Sequence, residues 1–408
     1  MSKNINKSYV ENNECLACTS SNLRTVLDLG LQPLANEYHK GEDLPEYPLR
    51  LNLCQNCFHL QLSCSVNPDL MFKNYLYVSG TTETLRKYFD DFAKETLTYN
   101  PGAKSILDIA CNDGTQLDSY KKLGLSTFGI DPAENLFSES VKNGHQIICD
   151  YFNSNTISKF GEKKFDLITA QNVFAHTRFT EDFLKSCSNI MHDNSFLFIQ
   201  TSQSNMVVNN EFDTIYHEHI SFFNSNSMRF LVERCGLFLN NIFKTDVHGT
   251  SYVFVITKTD KGQLKGVSEN MKSERKKGLF DVLTYPKYSL KCYKATFKLK
   301  NKLEKLKKSG YMIVGYGAAA KGNTLLNFGN IDLDFIIDDN PLKQGLLTPG
   351  RNIRIGSPEV LAVMDPNTKI AFIPLAWNFY PEIKRRIQTI RNSKSDIFIT
   401  YFPKLIIE

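Results

Sequence analysis

Apolar and polar residues alternate at period two in Leu49-Arg-Leu-Asn-Leu53 and again in Phe58-His-Leu-Gln-Leu62, which predicts short half-buried strands near the start of the chain. Residues 83–98 then read as a helix closed by Asn100-Pro-Gly. Short apolar runs follow, separated by helical patterns: Ser105-Ile-Leu-Asp-Ile109, Thr127-Phe-Gly-Ile130, Gln146-Ile-Ile148, Phe165-Asp-Leu-Ile168 and Ser195-Phe-Leu-Phe-Ile199. Strands alternating with helices are the rhythm of a doubly wound parallel sheet. Residues 270–308 are predicted to be helical, with Leu290, Tyr293, Phe297, Leu299, Leu303 and Leu306 forming an apolar stripe among lysines. From Tyr311 the strand–helix rhythm restarts with Met312-Ile-Val314, Phe335-Ile-Ile337, Ile370-Ala-Phe-Ile373 and Asp396-Ile-Phe-Ile399. The expected organisation is an N-terminal module over 1–70, an α/β core over 71–260, a bridging helical segment over 261–310 and a C-terminal Rossmann-like domain over 311–408.

With 42% hydrophobic and 22% charged residues, the 408-residue chain can bury enough apolar surface to offset its conformational entropy, which excludes global disorder. No run approaches the ~18 apolar residues of a membrane span. The polar start Met1-Ser-Lys-Asn-Ile-Asn-Lys lacks an apolar signal region, so a cytoplasmic protein without a membrane partner is expected. Lys and Arg (48) exceed Asp and Glu (43) by 5, yet residues 261–308 alone hold 15 basic and 4 acidic side chains. That asymmetry fits an anionic partner or a solvated helix face. No nucleic-acid motif accompanies it, and nucleic acid is not expected as a partner.

Cys15 and Cys18 in Glu-Cys-Leu-Ala-Cys, with Cys54 and Cys57 in Leu-Cys-Gln-Asn-Cys, form two Cys-x-x-Cys pairs among ten cysteines. Two residues between ligands let both sulfurs of a pair face one point, so two such turns can supply four thiolates to a tetrahedral zinc ion. With every position filled by sulfur, the expected role of the ion is structural. Disulfides are disfavoured in an unsecreted chain whose other cysteines are scattered. His59, two residues past Cys57, is expected at the surface, with a substitute ligand role as the alternative.

In Ile106-Leu-Asp-Ile-Ala-Cys-Asn-Asp-Gly-Thr115 a predicted strand ends in a small-residue turn that opens a helix. This brings Asp108, Ala110, Asn112 and Gly114 to the carboxyl end of the sheet, where open α/β folds bind ligands. Asp131, ending the second strand, is placed to accept hydrogen bonds from a ribose diol. Asp150, with Tyr151 beside it, ends the third strand, where an adenine amino group could be met; Gln171 and Asn172 lead out of the fourth. The series points to S-adenosylmethionine, because NAD normally takes a Gly-x-Gly-x-x-Gly cradle that this turn lacks. Nearer the C-terminus, Gly315-Tyr316-Gly317 followed by Lys321-Gly322 could cradle a phosphate, and Asp338, about 20 residues on, makes NAD an alternative there.

The cysteine pairs, Leu107-Asp-Ile-Ala-Cys-Asn-Asp-Gly114, Asn172-Val-Phe-Ala-His176, Ile215-Tyr-His-Glu-His-Ile-Ser-Phe222, Gly315-Tyr-Gly-Ala-Ala-Ala-Lys-Gly-Asn-Thr-Leu-Leu326 and Ile337-Asp-Asp-Asn-Pro-Leu-Lys-Gln-Gly345 occur in this order. Together they make the chain resemble the sugar C-methyltransferase family over nearly its whole length. The resemblance implies a zinc module, a Rossmann-like S-adenosylmethionine-dependent methyltransferase core and a C-terminal Rossmann-like domain that takes part in binding a nucleotide-sugar. It further implies methylation at C3 of a nucleotide-linked 4-keto deoxysugar. By the same match His219 is the base, with Tyr216 and Glu218 beside it. His176 and Tyr77 are secondary catalytic candidates, while Tyr75, Ser79, Gly315, Tyr316, Gly317, Lys321 and Asn323 are substrate-binding candidates; the choice between Tyr75 and Tyr77 as the active-site tyrosine stays open. Two positions depart from the family pattern: Asp108 stands where Glu is frequent, and Tyr88 where His often stands. A monomer or weak dimer is expected.

Methylating carbon needs a carbanion, and a 4-keto group allows one because removal of the neighbouring C3 proton gives an enolate. In Tyr216-His-Glu-His219, His suits proton transfer near neutral pH, Tyr can donate to a developing oxyanion, and Glu can orient an imidazole or bind a hydroxyl. Two alternatives stand: an O-methyltransferase in which His219 deprotonates a hydroxyl, and a non-catalytic nucleotide-sugar or nucleic-acid binding protein. A metal shared by His217 and His219 is disfavoured, because alternate residues of an extended segment point to opposite faces.

Overall fold

A computed structural model describes residues 8–73, 78–81, 83–245, 251–391 and 393–408; Tyr75 and Tyr77 lie outside the described residues. The chain divides into two compact units that alternate along the sequence. The first comprises Met1–Arg24, Asn52–Ser204 and Glu218–Phe280, and the second Thr25–Leu51, Asn205–His217 and Asp281–Glu408. The stretches 1–70 and 261–310, expected as single pieces, are therefore each divided. Thr25–Leu51 joins the second unit because its polar groups find partners there: Asn323 donates to the Ala35 carbonyl (2.7 Å) and the Tyr38 hydroxyl donates to the Ala318 carbonyl (2.5 Å).

Among the described residues, the first unit contains a seven-stranded sheet built from β1 (Ser105–Ile109), β2 (Ser126–Asp131), β3 (Gln146–Cys149), β4 (Phe165–Gln171), β5 (Met191–Thr201), β6 (Phe238–Thr245) and β7 (Ser251–Thr257), in the order β3-β2-β1-β4-β5-β7-β6. Strands β1 to β5 run parallel, β7 is antiparallel to β5, and β6 is antiparallel to β7. Both faces are covered, so the strands read as nearly continuous apolar runs. Ile106 joins Phe92, Tyr120, Leu167 and Phe198 on one side, while Leu107 and Ile109 join Phe128, Ile168 and Leu197 on the other. Fully burying each such side chain contributes about 1.5–3 kcal/mol. The helix Glu83–Tyr99 covers one face with Leu85, Phe89, Phe92, Ala93 and Thr96, all at helical spacing.

In the second unit the sheet order is Ile355–Gly356, Phe335–Ile337, Met312–Tyr316, Ile370–Pro374, Ile397–Thr400 and Ile406–Ile407; the first five are parallel and the last antiparallel. The helical segment departs from expectation in two ways. It is two helices, Lys265–Lys276 and Thr284–Lys308, parted where Gly278 takes the left-handed conformation (φ 80°) that ends a helix. On the longer helix the buried ridge is Tyr285, Tyr288, Cys292, Thr296, Leu299, Leu303 and Leu306, whereas Leu290, Tyr293 and Phe297 are 54, 47 and 66% exposed. Backbone approach fixes this face: a Cβ on Gly329 would lie 2.6 Å from Thr296 Cγ2. No helix among the described residues is long and apolar enough to cross a membrane.

The two halves of the expected stripe should respond differently to truncation. Leu303→Ala is expected to cost about 2–4 kcal/mol and Phe297→Ala less than about 0.5 kcal/mol, as read from urea unfolding midpoints at unchanged slope.

Candidate active site and metal centre

The two cysteine turns have the same geometry. In each, the N–H of the residue after the second cysteine donates to the carbonyl of the first (Thr19 to Cys15, Phe58 to Cys54, both 2.9 Å), and that residue sits at φ 61°. The four sulfurs converge within 4.8 Å, with Cys15 Sγ 3.5 Å from Cys57 Sγ and Cys18 Sγ 3.5 Å from Cys54 Sγ. Zinc–sulfur bonds of ~2.3 Å set tetrahedral sulfurs about 3.8 Å apart, so the set fits the ion. The rest of the first unit clasps the turns by their carbonyls. Thr180 donates to Leu16 (2.5 Å), Arg234 to Ala17 (2.9 Å), Asn226 to Cys57 (3.2 Å) and Asn224 to Phe58 (2.6 Å). His59 is neither at the surface nor a ligand. It is fully buried, with Nε2 3.2 Å from Ser221 Oγ and its ring against Phe223, and burial lowers it to about 3.

At the carboxyl end of β1 the backbone turns through left-handed conformations at Ala110 (φ 61°), Asn112 (φ 52°) and Gly114 (φ 81°), and Asn172 does the same (φ 54°) after β4. Such conformations are unfavourable for a residue with a Cβ and concentrate where a ligand is held. The Asp131 carboxylate accepts from Asn112 N and Ala133 N, both at 2.8 Å, which leaves further lone pairs for hydroxyl donors; burial raises it. This donor and acceptor set fits the ribose of S-adenosylmethionine. Asp150 pairs with Lys159 (2.7 Å) and accepts from Tyr151 N. Ser79 N donates to Asn112 Oδ1 (2.9 Å) and Gly80 N to Asp113 Oδ2 (2.8 Å), so the 79–80 backbone lies on the β1 turn.

Asp108 is held inside the sheet. Thr169 Oγ1 (2.7 Å) and Gln116 Nε2 (3.1 Å) donate to it, and burial pushes it up to about 7. From there a polar chain runs across the strand ends: Gln171 donates to Gln116, and the Tyr88 hydroxyl donates to Gln171 Oε1 (2.9 Å). Gln116 and Thr169 were not read from the sequence as members of this site, and of the two only Thr169, in Phe165-Asp-Leu-Ile-Thr-Ala170, interrupts an apolar run; Tyr88 was read only as a departure from the family pattern.

The histidine pair is assembled by the Ile220 N–H, which donates to the Ala175 carbonyl at 2.8 Å. His176 stacks with Phe72 (5.5 Å, 4°) and with half-buried His219 (5.3 Å, 27°). Its Nε2 is buried without a hydrogen-bond partner among the described residues, and burial lowers it to about 4, so the ring is neutral. Glu218 is buried beside His219 in sequence. Tyr216 and His217 belong to the second unit, where His217 meets Tyr47 edge-on (5.7 Å). Among the described residues, the four cysteines are the one group of His, Cys, Asp or Glu close enough to share a metal.

In the second unit, a Cβ on Gly315 would press Ile336 and Leu333 at 2.9 Å, and one on Gly322 would press Leu375 at 2.7 Å. These glycines serve close packing. Ala318 N, just past Gly317 (φ 86°), donates to Asp338 Oδ2 (2.6 Å), so the turn already holds an internal carboxylate. Tyr316 donates to Asp339 (2.7 Å), Asn323 is buried with its amide on the Ala35 carbonyl, and Lys321 lies over the Trp377 ring (4.8 Å).

Three family models match successive parts of the chain: a zinc binding domain at 15–72, a methyltransferase domain at 81–239 and a C-methyltransferase C-terminal domain at 246–403. Together with the sheet order and the four-cysteine module, they define a zinc-binding, S-adenosylmethionine-dependent methyltransferase. C-methyltransferase NovU of Streptomyces niveus is 28% identical over 385 residues, 91% of each chain. The likeness to a C-methyltransferase therefore runs along nearly the whole chain. The ubiquinone biosynthesis O-methyltransferase of Glaesserella parasuis serovar 5 (strain SH0165) is 30% identical over 108 residues, which cover 24% of this chain and 45% of that one. Among solved structures, magnesium protoporphyrin IX methyltransferase (ChlM) from Synechocystis PCC 6803 with bound SAM covers 43% of this chain and 79% of its own, at 12% identity and a TM-score of 0.33.

Cys54→Ser should release about one zinc per chain and loosen the clasped turns, because thiolate coordination is coupled to folding; metal analysis of intact and variant protein checks this. Asp131→Ala is expected to weaken S-adenosylmethionine binding by roughly ten- to a hundredfold, the worth of hydrogen bonds to a charged acceptor. Titration calorimetry measures it, and unchanged affinity would place the ribose elsewhere.

Proposed function

We propose that this C-methyltransferase acts at C3 of a nucleotide-linked 4-keto deoxysugar, with His219 as the base. The observation that carries the reading is the stack of His219 on His176. Burial keeps His176 neutral, so His219 can take up a proton without a second cation against its face. Held by Asp131 and the left-handed turn after β1, S-adenosylmethionine supplies an electrophilic methyl group. The proton next to the ketone passes to an imidazole nitrogen of His219 and the electron pair moves onto the carbonyl oxygen. The Tyr216 hydroxyl donates to that oxyanion, and Glu218 orients the base or a sugar hydroxyl. The C-terminal Rossmann-like domain takes part in binding the nucleotide-sugar.

His219→Asn is expected to lower methyl transfer by about 10²–10⁴-fold, the usual contribution of a positioned base, with both ligands still bound. Glu218→Gln should lose less. Product mass and proton NMR after incubation with candidate 4-keto sugar nucleotides give the readout, and full methylation by His219→Asn would remove His219 from the base role.

A further inference from the structure

The segment Asn205–His217 carries Tyr216, and its strongest anchor takes no part in the chemistry above. Asp213, on the short turn Phe212–Thr214, is completely buried. Its Oδ2 accepts a hydrogen bond from the indole Nε1 of Trp377 (2.7 Å), while its Oδ1 has no hydrogen-bond partner among the described residues. Lys321 covers the Trp377 ring and attracts both Asp213 and Glu211. Two further contacts fix the same stretch: Thr324 Oγ1 donates to the carbonyl of Ile215, the residue before Tyr216 (3.2 Å), and Phe212 packs on Phe328 (5.3 Å).

A buried carboxylate with one oxygen unsatisfied is a costly way to fix a turn, since an apolar side chain would hold it without the desolvation penalty. A directional bond to a rigid indole does what apolar contact cannot, which is to set the rotation of the turn about its own axis. We propose that Asp213, Trp377 and Lys321 form a clamp that positions Tyr216 for its part in the reaction. Asp213 is thus a positioning residue, and Lys321 serves the clamp; the inference rests on the function proposed above.

Trp377 is the sole tryptophan of the chain, so intrinsic emission reports directly on the clamp. Burial pushes the Asp213 carboxyl up to about 7; facing it are Glu211, Lys321, Tyr401 and, from the helix Thr284–Lys308, Tyr288 and Cys292. Emission of the full-length zinc-loaded protein titrated from pH ~5.5 to ~8.5 should show a step near neutrality that Asp213→Asn abolishes. In turnover with a candidate 4-keto sugar nucleotide, Asp213→Ala should lower kcat by about 10–100-fold, the scale of a misplaced catalytic group, with S-adenosylmethionine affinity unchanged. Asp213→Asn, which keeps an acceptor for the indole, should recover most of that loss. Trp377→Phe, which deletes the donor and keeps a ring, should reproduce it even if Asp213→Ala fails to fold. A flat wild-type emission, a step that survives in Asp213→Asn, or wild-type kcat in Trp377→Phe overturns the clamp. If the wild type turns over no keto sugar, the proposed function falls and the emission step alone decides the clamp.

Discussion

The order β3-β2-β1-β4-β5 imposes one constraint on the first unit: the chain leaves β1 towards one edge and returns to build β4 towards the other. At that reversal the connections part and a crevice opens at the carboxyl ends of the strands. The functional residues of the first unit hang from it. The left-handed turn of Ala110, Asn112 and Gly114 lies on one side, and Asn172 followed by His176 on the other. Asp131, one strand over, ties its carboxylate back to the β1 turn. His219 then reaches the same place by pairing the backbone of its neighbour Ile220 with that of Ala175.

At Asp108 and His176 charge is managed by burial rather than by pairing. Asp108 sits among Thr169 and Gln116, and a row of amide and hydroxyl groups ending at Tyr88 carries hydrogen bonding along the strand ends without introducing a cation. Burial raises the Tyr88 hydroxyl, which therefore remains a donor. His176 is likewise uncharged. Low-dielectric surroundings strengthen every remaining dipole, which suits a reaction in which charge develops on substrate oxygen.

Periodicity made the elements of both sheets legible, because strands buried on two faces and amphipathic helices leave local signals. Packing partners leave none. Nothing in Thr25–Leu51 announces that its carbonyl at Ala35 and hydroxyl at Tyr38 belong with residues nearly three hundred positions on. The lysine-rich helix misled for a related reason: Leu290 and Phe297 are apolar, but the ridge through Cys292 and Thr296 is the one a neighbouring glycine lets approach. The cysteine spacing was legible in full, since the ligands and their geometry are local to each turn. His59 was misplaced because polarity suggests exposure or a ligand, whereas its surroundings, Ser221 and Phe223, lie far away in sequence.

The four carbonyls of the cysteine turns held by Thr180, Arg234, Asn224 and Asn226 bear on how such enzymes can diverge. A small metal-bound module at the head of a chain looks transplantable, like a bead that could be restrung on another catalytic core. Here each donor is matched to a particular turn, so grafting foreign knuckles would strand several buried polar groups at once. The module and the core are accordingly bound to drift together, and changes on one side of that seam open or close the paths available to the other.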